Sequence, residues 1–260
     1  MEIINDTPIL TVDLQHGKYG CTQNEICEKY KINLMNRLVG RYISEGSPFK
    51  GQIESAVLDL RSFNFDEYLS RVRKVHKGAA LRHSRKAERI GHYCKPFVWK
   101  NHIPDIVEIN HSKEVRSGGK MTQAYKRSIE DMGGNPKEIL KVNNPKCNVH
   151  CTHTWGVFEK KEGYFQGDIQ TDEKLLGYIK FKRNGNFALY TSILGHGDYL
   201  DQGIMYNLHF SIMKWVDENQ DGLLEGLEYL VYGAINSGEQ GLKQWKKRAL
   251  FEGAYLTLNS

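Results

Sequence analysis

From residue 147 onward, short β-rich runs alternate with helical ones, and this order constrains the fold more than any other feature of the chain. HTWGVFEK, EGYFQGDIQ, KLLGYIKFKRNG and FALYTSILG are separated by Gly, Asn and Asp turn signals, the pattern of an antiparallel meander. Behind them, Ile204, Met205, Leu208, Ile212, Met213 and Trp215 recur at helical spacing. A strand candidate LEYLVYGAI, a loop INSGEQG, a helix LKQWKKRALF and a last strand AYLTL complete a β-β-β-α-β-α-β order. The expected class is α+β: a mixed, mostly antiparallel, twisted sheet flanked by helices.

Upstream, residues 1–60 read as an N-terminal extension, partly helical through the spacing of Ile26, Tyr30, Leu34 and Leu38, with the main domain covering 61–260. AVLDLRSF is β-like. Asn64 is a good N-cap for a helical run that ends at Gly91, with Gly78 as a break. HYCKPFVW predicts a strand, 105–111 the start of a helix, and MTQAYKRSIEDMGG a segment closed by a glycine pair.

The 260 residues are 40% hydrophobic and 26% charged, the make-up of a globular domain rather than a disordered one. Five cysteines, an odd number, are poor material for a disulfide framework and fit a reducing compartment. No apolar run reaches the roughly 18 residues of a bilayer span, and MEIINDTPILTVDLQ lacks the basic start of a secretory signal. The expectation is a cytoplasmic protein. Its net charge of +5 is uneven: Arg71, Arg73, Lys74, Lys77, Arg82, Arg85, Lys86 and Arg89 face only Glu88 within 71–89. Such a stretch suits phosphates of a nucleic acid such as a tRNA, a nucleotide cofactor or a lipid headgroup, or is a solvated helix face.

LYTSIL, then GHGDYLDQG, then IMYNLHFSIMKW resembles the strand, phosphate-binding loop and helix of the GNAT family of N-acyltransferases. RHSRKAERIGHYCKPFVW followed by IVEINHSKEVRSGGKM resembles the entry segment of the family's FemAB-like branch. The likeness runs from about residue 64 to the C-terminus. It implies transfer of an acyl or aminoacyl group from an activated donor, acyl-CoA foremost, to an amine by direct attack. The family's Arg/Gln-x-x-Gly-x-Gly/Ala signature is reduced to Gln202-Gly203-Ile204-Met205, which leaves acyl-CoA and aminoacyl-tRNA both open as donor. A non-catalytic nucleic-acid- or calcium-binding protein on the same fold is the alternative.

Free N–H groups and the helix dipole favour an anion at a helix N-terminus. The resemblance therefore assigns the donor to Leu194, Gly195, Gly197, Gly203 and Ile204, with Leu194 N–H meeting the oxyanion. His196 and Asp198 are candidates for taking the acceptor's proton. Tyr232 and Asn236 are candidate donors to the leaving group, Lys243 and Lys246 for donor phosphates, and Arg116 for the acceptor.

Two motifs compete with this reading. Asp217, Asn219, Asp221, Gly222 and Glu228 match an EF-hand calcium loop across 217–228, but LEYLVYGAI is a poor exiting helix, so a polar loop is favoured. Cys147, His150, Cys151 and His153 are competent zinc ligands. Adjacent residues seldom face one metal, however, and a structural site draws on two separated ligand pairs. A buried cysteine and a solvent-facing histidine on a strand edge are expected instead.

Overall fold

A computed structural model describes residues 3–4, 7–14, 20–21, 25–38, 43–44, 53–116 and 119–258. Its strands are β1 (Ile3–Ile4), β2 (Thr7–Val12), β3 (Ile43–Ser44), β4 (Ser55–Asp59), β5 (Tyr93–Pro96), β6 (Val115–Arg116), β7 (Gly119–Lys120), β8 (His150–Lys160), β9 (Phe165–Gln166), β10 (Ile169–Gln170), β11 (Glu173–Asn184), β12 (Phe187–Gly195), β13 (Tyr229–Ala234) and β14 (Glu252–Leu258). Its helices are α1 (Glu25–Leu38), α2 (Phe65–Lys74), α3 (Ala79–Ile90), α4 (Ile103–His111), α5 (Ile204–Asp217) and α6 (Gln240–Arg248).

The main sheet runs β1-β2-β14-β4-β13-β12-β11-β8-β5, with β3 also paired to β14. Most neighbours are antiparallel, but β12 pairs parallel with β13, and β14 parallel with β2 and β3. The fold is therefore α+β, and β8, β11, β12, α5, β13, α6 and β14 follow in the order the sequence predicts.

One face of the sheet carries α2, α3 and α5 over a core that includes Val157, Ile179, Phe181, Leu208, Ile212 and Leu230. The apolar stripe of α5 explains this, since Ile204, Leu208, Ile212 and Met213 are all fully buried. On the other face Ile106 and Ile109 of α4 cover Phe158, Leu175 and Tyr178. There the amines of Lys180 and Lys182 lie over the rings of Trp99 and of Tyr30 in α1.

Three local expectations are met at atomic detail. The Asn64 side chain accepts from Glu67 N–H at 3.0 Å, capping α2. The break before α3 is carried by His76, Lys77 and Gly78, all with positive φ. Gly91 closes α3 in the left-handed region.

One expectation differs. Residues before 61 are more than a partly helical appendage: β4 lies between β13 and β14, and β2 extends the sheet beyond β14. Within 121–134 only two single turns form, Gln123–Tyr125 and Glu130–Met132. Ser128 and Asp131 exchange side chain–backbone hydrogen bonds there, an alternative to the helical ladder.

Candidate functional site

β12 and β13 pair only from Phe187↔Tyr229 to Leu189↔Val231. Beyond that point the register of β12 with β11 slips, so that Thr191 is an extra residue between Tyr190 and Ser192. This bulge bends β12 away from β13. The resulting cleft holds a cavity of about 340 Å³, lined by Ile193, Gly195, Met205, Tyr232, Trp245 and Arg116 among others.

Main-chain direction in the cleft follows from the ladder. His196 N–H bonds the Leu176 carbonyl at 2.7 Å, and Tyr178 is the register partner of Leu194. Alternation in an antiparallel pair then commits Leu194 N–H to β11 and turns the N–H groups of Ile193 and Gly195 toward the cleft. The Leu194 N–H, expected from sequence to meet the oxyanion, is thus committed to the ladder with β11 and does not face the cleft. A single strand's sequence does not reveal a bulge, so the parity could not be read in advance.

The loop that follows is a 3₁₀ segment, Gly197–Gln202, leading into α5. Its glycines approach protein rather than open space. Gly203 has φ +83°, and a Cβ there would run into the His83 carbonyl of α3. At Gly197 a Cβ would meet Lys113 and the Ser112 carbonyl, and Gly197 N–H is taken by Ser112 Oγ at 2.9 Å. Ile204, the first residue of α5, is buried. The Met205 sulfur, at the position where the resemblance implies a small residue, sits against Gly177 and Gly195 and forms part of the cavity wall.

His196 is buried and turned toward α4. Its Nε2 lies 3.2 Å from Glu108 Oε1, and its Nδ1 accepts from Asp198 N–H at 3.3 Å. Glu108 also pairs with Lys174 at 2.7 Å. The Asp198 carboxylate is exposed and 4.0 Å from the ring. Neither side chain lines the cavity.

Tyr232 does line it, wedged against Tyr190, Trp245 and Phe251. Burial pushes its phenol well above the usual range, so it stays protonated and able to donate at neutral pH. Asn236 and Lys243 are exposed, in the turn after β13 and on α6. Lys246 departs most from expectation: it is 1% exposed, and its ammonium donates to Ser237 Oγ at 2.9 Å and to the carbonyls of Ala234 and Ser237. Burial and nearby Lys243 bring its pKa down to about 8. It holds the turn after β13 and has no donor left for a phosphate.

Arg116 reaches the cleft from the β6–β7 hairpin. Its guanidinium donates to the carbonyls of Gly195 (2.8 Å) and Ile109 (2.7 Å) and to Ser112 Oγ (2.7 Å). All are neutral acceptors, and burial lowers its pKa. A second cavity of about 450 Å³, lined by His111, Glu114, Lys120 and Lys126, shares Lys113 and Val115 with the first. The two cavities thus lie side by side along 113–116, a segment whose role beyond Arg116 carries no sequence signal.

On α2, α3 and the break between them the basic residues Arg71, Arg73, Lys74, Lys77, Arg82, Arg85 and Arg89 are exposed, while Ala80, Leu81, Ser84 and Ala87 are buried. Lys86 bonds the Asp201 carbonyl at 3.0 Å, so this face borders the loop before α5.

The 217–228 loop is organised around a cation of the protein itself. The fully buried Arg183 guanidinium donates to the carbonyls of Gly185, Leu223 and Glu225. Glu228, the last position of the calcium pattern, accepts from Asn186 at 3.1 Å. No helix exits the loop; β13 does.

Cys147, His150, Cys151 and His153 separate onto two faces of β8. Cys151 lies 3.4 Å from His153 Nε2, and the His153 ring packs on Trp215 of α5. His153 is half-buried with its pKa lowered to about 4 by burial, not solvent-facing. Cys147 and His150 turn to the opposite side, toward Cys21.

Neither a family model nor a curated protein matches the chain. Solved structures similar to it include FemX, at 12% identity and a TM-score of 0.49 over 90% of this chain and 68% of that one. L-PGS from Bacillus licheniformis gives 13% and 0.42 over 78% of this chain and 58% of that one. A tandem GNAT protein from the clavulanic acid biosynthesis pathway gives 13% and 0.40, over 94% and 59% respectively. The chain thus spans less than two thirds of the length of the last two.

Proposed function

We propose that this chain is an N-acyltransferase of the GNAT type, moving an acyl or aminoacyl group from an activated donor to an amine at the cleft between β12 and β13. The observation that carries the reading is the splayed parallel pair. Past the Thr191 bulge, two main-chain N–H groups face a cavity bounded by the start of α5 and by Tyr232. Donors fixed by a strand need no reorganisation when charge develops on a carbonyl oxygen beside them.

In this reading the donor carbonyl lies against Ile193 and Gly195 N–H. The amine lone pair attacks the carbonyl carbon, the C–N bond forms, and the oxyanion is held by those two groups. As the C–S bond of a thioester breaks, the leaving thiolate takes the Tyr232 proton. The proton shed by the new amide nitrogen restores Tyr232 or passes to solvent. The acceptor enters from the second cavity, whose lysines suit an acceptor that carries negative charge. Arg116 holds β12 and the hairpin together between the two.

The donor's phosphates fall to the exposed basic face of α3 beside the loop, rather than to Lys246. That face favours a large polyanionic donor, such as an aminoacyl-tRNA, as the second reading. A thermal-shift series with acetyl-CoA, longer acyl-CoAs and free CoA separates the two. A ligand at 100 times its Kd adds about 2.7 kcal/mol, a rise of roughly 5–10 °C. Such a rise, with thiol release in the presence of amines, supports the thioester donor. No response to CoA species, with RNA binding that weakens steeply in salt, moves the assignment to the tRNA-borne donor. The absence of both responses rejects the transferase reading.

A further inference from the structure

We propose that Cys21, Cys27, Cys147 and His150 form a structural zinc site that clamps α1 and the segment before it to the start of β8. One ligand atom from each of the four lies within 4.8 Å of every other. Cys21 Sγ is 3.3 Å from His150 Nδ1, Cys147 Sγ is 3.7 Å from the same nitrogen, and the two sulfurs are 4.0 Å apart. A tetrahedral zinc with Zn–S near 2.3 Å and Zn–N near 2.05 Å requires S···S edges of about 3.8 Å and S···N edges of about 3.6 Å. The S···N separations of 3.3 and 3.7 Å bracket their edge, the S···S separation of 4.0 Å lies just above its own, and Cys27 stays within the 4.8 Å limit. A disulfide, by contrast, requires sulfurs about 2.05 Å apart, and those of Cys21 and Cys147 are 4.0 Å apart.

The donor set is three thiols and an imidazole, a Cys₃His composition that closes the coordination sphere and marks a structural rather than a catalytic site. The ligands also come as two separated pairs, Cys21-x₅-Cys27 and Cys147-x₂-His150. Cys21 and Cys147 are 126 residues apart in sequence. Cys27, Cys147 and His150 are almost completely buried and Cys21 partly so.

Among the described residues the apolar cluster at this point is Cys27, Cys147 and Val149, with Cys21 against them, and a metal bound there adds its own cohesion. Register places the cluster away from the chemistry. His150 is level with Asn184 and hence with Phe187, the start of β12, whereas the cleft opens at its end. Eight residues of strand separate those levels by roughly 25 Å.

Binding forms three Zn–S bonds and one Zn–N bond, and the three thiol protons leave to solvent, so affinity falls in acid. The test is elemental analysis of the full chain purified under reducing conditions, followed by exchange of cobalt for the native metal. One zinc per chain is expected, with cobalt giving the intense visible bands of a tetrahedral thiolate site. His150→Ala and Cys147→Ser should lose the metal, whereas Cys94→Ser, outside the cluster, should keep it. Should the ligand variants prove insoluble, chelator treatment of the unaltered protein gives the same answer, since removal should open the lysines of α1 to trypsin. A protein that takes up no zinc or cobalt from micromolar solution, or that carries a Cys21–Cys147 disulfide by mass spectrometry, overturns the proposal. Metal retained in both ligand variants overturns it as well.

Discussion

The guanidinium of Arg116 donates to the Gly195 carbonyl at 2.8 Å, tying the β6–β7 hairpin to the last residue of the strand that ends at the cleft. The same group bonds Ile109 and Ser112 at the end of α4, so one side chain joins strand, helix and hairpin. Its planar fork fits these acceptors in a way an ammonium cannot. Arg116→Lys is therefore expected to lower kcat/KM by about 10–100-fold through misplacement of Gly195. Arg116→Ala strands buried acceptors and should cost about 2–4 kcal/mol in urea unfolding. A lysine variant with unchanged kinetics would remove Arg116 from the positioning of the cleft.

Tyr232 offers a cleaner kinetic test. Among the described residues nothing hydrogen-bonds its hydroxyl, while its ring packs in an aromatic cluster. Tyr232→Phe keeps that packing and removes only the hydroxyl. If the phenol protonates the leaving group, kcat falls by about 100-fold with KM for the donor nearly unchanged. Stability should move by less than about 0.5 kcal/mol. Loss of donor binding without a kcat effect would make Tyr232 a wall of the cavity only.

Gly203 and Gly222 separate backbone constraint from open space. An alanine at Gly203 meets the His83 carbonyl and must adopt φ +83°, whereas nothing lies within 4 Å of a Cβ at Gly222. Gly203→Ala should cost about 2 kcal/mol or more by forcing α3 from α5. Gly222→Ala should stay within about 0.5 kcal/mol. Paired thermal melts decide this; equal shifts would mean that the α3–α5 approach yields easily.

What was legible in the sequence was what repeats locally. β8, β11 and β12 show as β-rich runs between turn residues, and α5 shows because its apolar residues share one helical face. β2 was not legible, because six residues of TPILTV have no meaning as a strand until β14, at the other end of the chain, lies beside them. Lys246 failed for a related reason. α6 reads as a polar helix, and only the turn after β13 aims carbonyls at that ammonium. His196 was placed correctly in the loop after β12, but nothing local tells that Glu108 of α4 draws its ring from the cleft. Cys21 and Cys27 lacked any signal, since their partners lie beyond residue 146.

His209 gives the protein a defined response to acid. The Tyr68 hydroxyl donates to the Ala249 carbonyl at 3.0 Å, so it accepts from His209 Nε2–H at 2.8 Å. Nδ1 is then the acceptor for the Tyr190 hydroxyl at 3.0 Å. Every polar atom of this chain is satisfied with a neutral imidazole, and burial lowers the His209 pKa to about 3. In the unfolded chain the group titrates near 6.5. Above that pH both states are neutral and the contribution is fully present. As pH falls from 6.5 toward 3, the unfolded state takes a proton that the folded state refuses, and stability drops by up to about 1.4 kcal/mol per pH unit. Carboxylates with lowered pKa, such as Asp59, add their own acid loss at lower pH. The His209 share is isolated by urea titrations between pH 7 and 4.5 on the protein and on His209→Gln, which retains a donor and an acceptor. The variant should be less stable at pH 7 but lose stability more gradually below 6.5. Parallel curves would mean that the native imidazole takes up its proton over the same pH range as in the unfolded chain, and the neutral tautomer assigned to the Tyr68–His209–Tyr190 chain would fall with it.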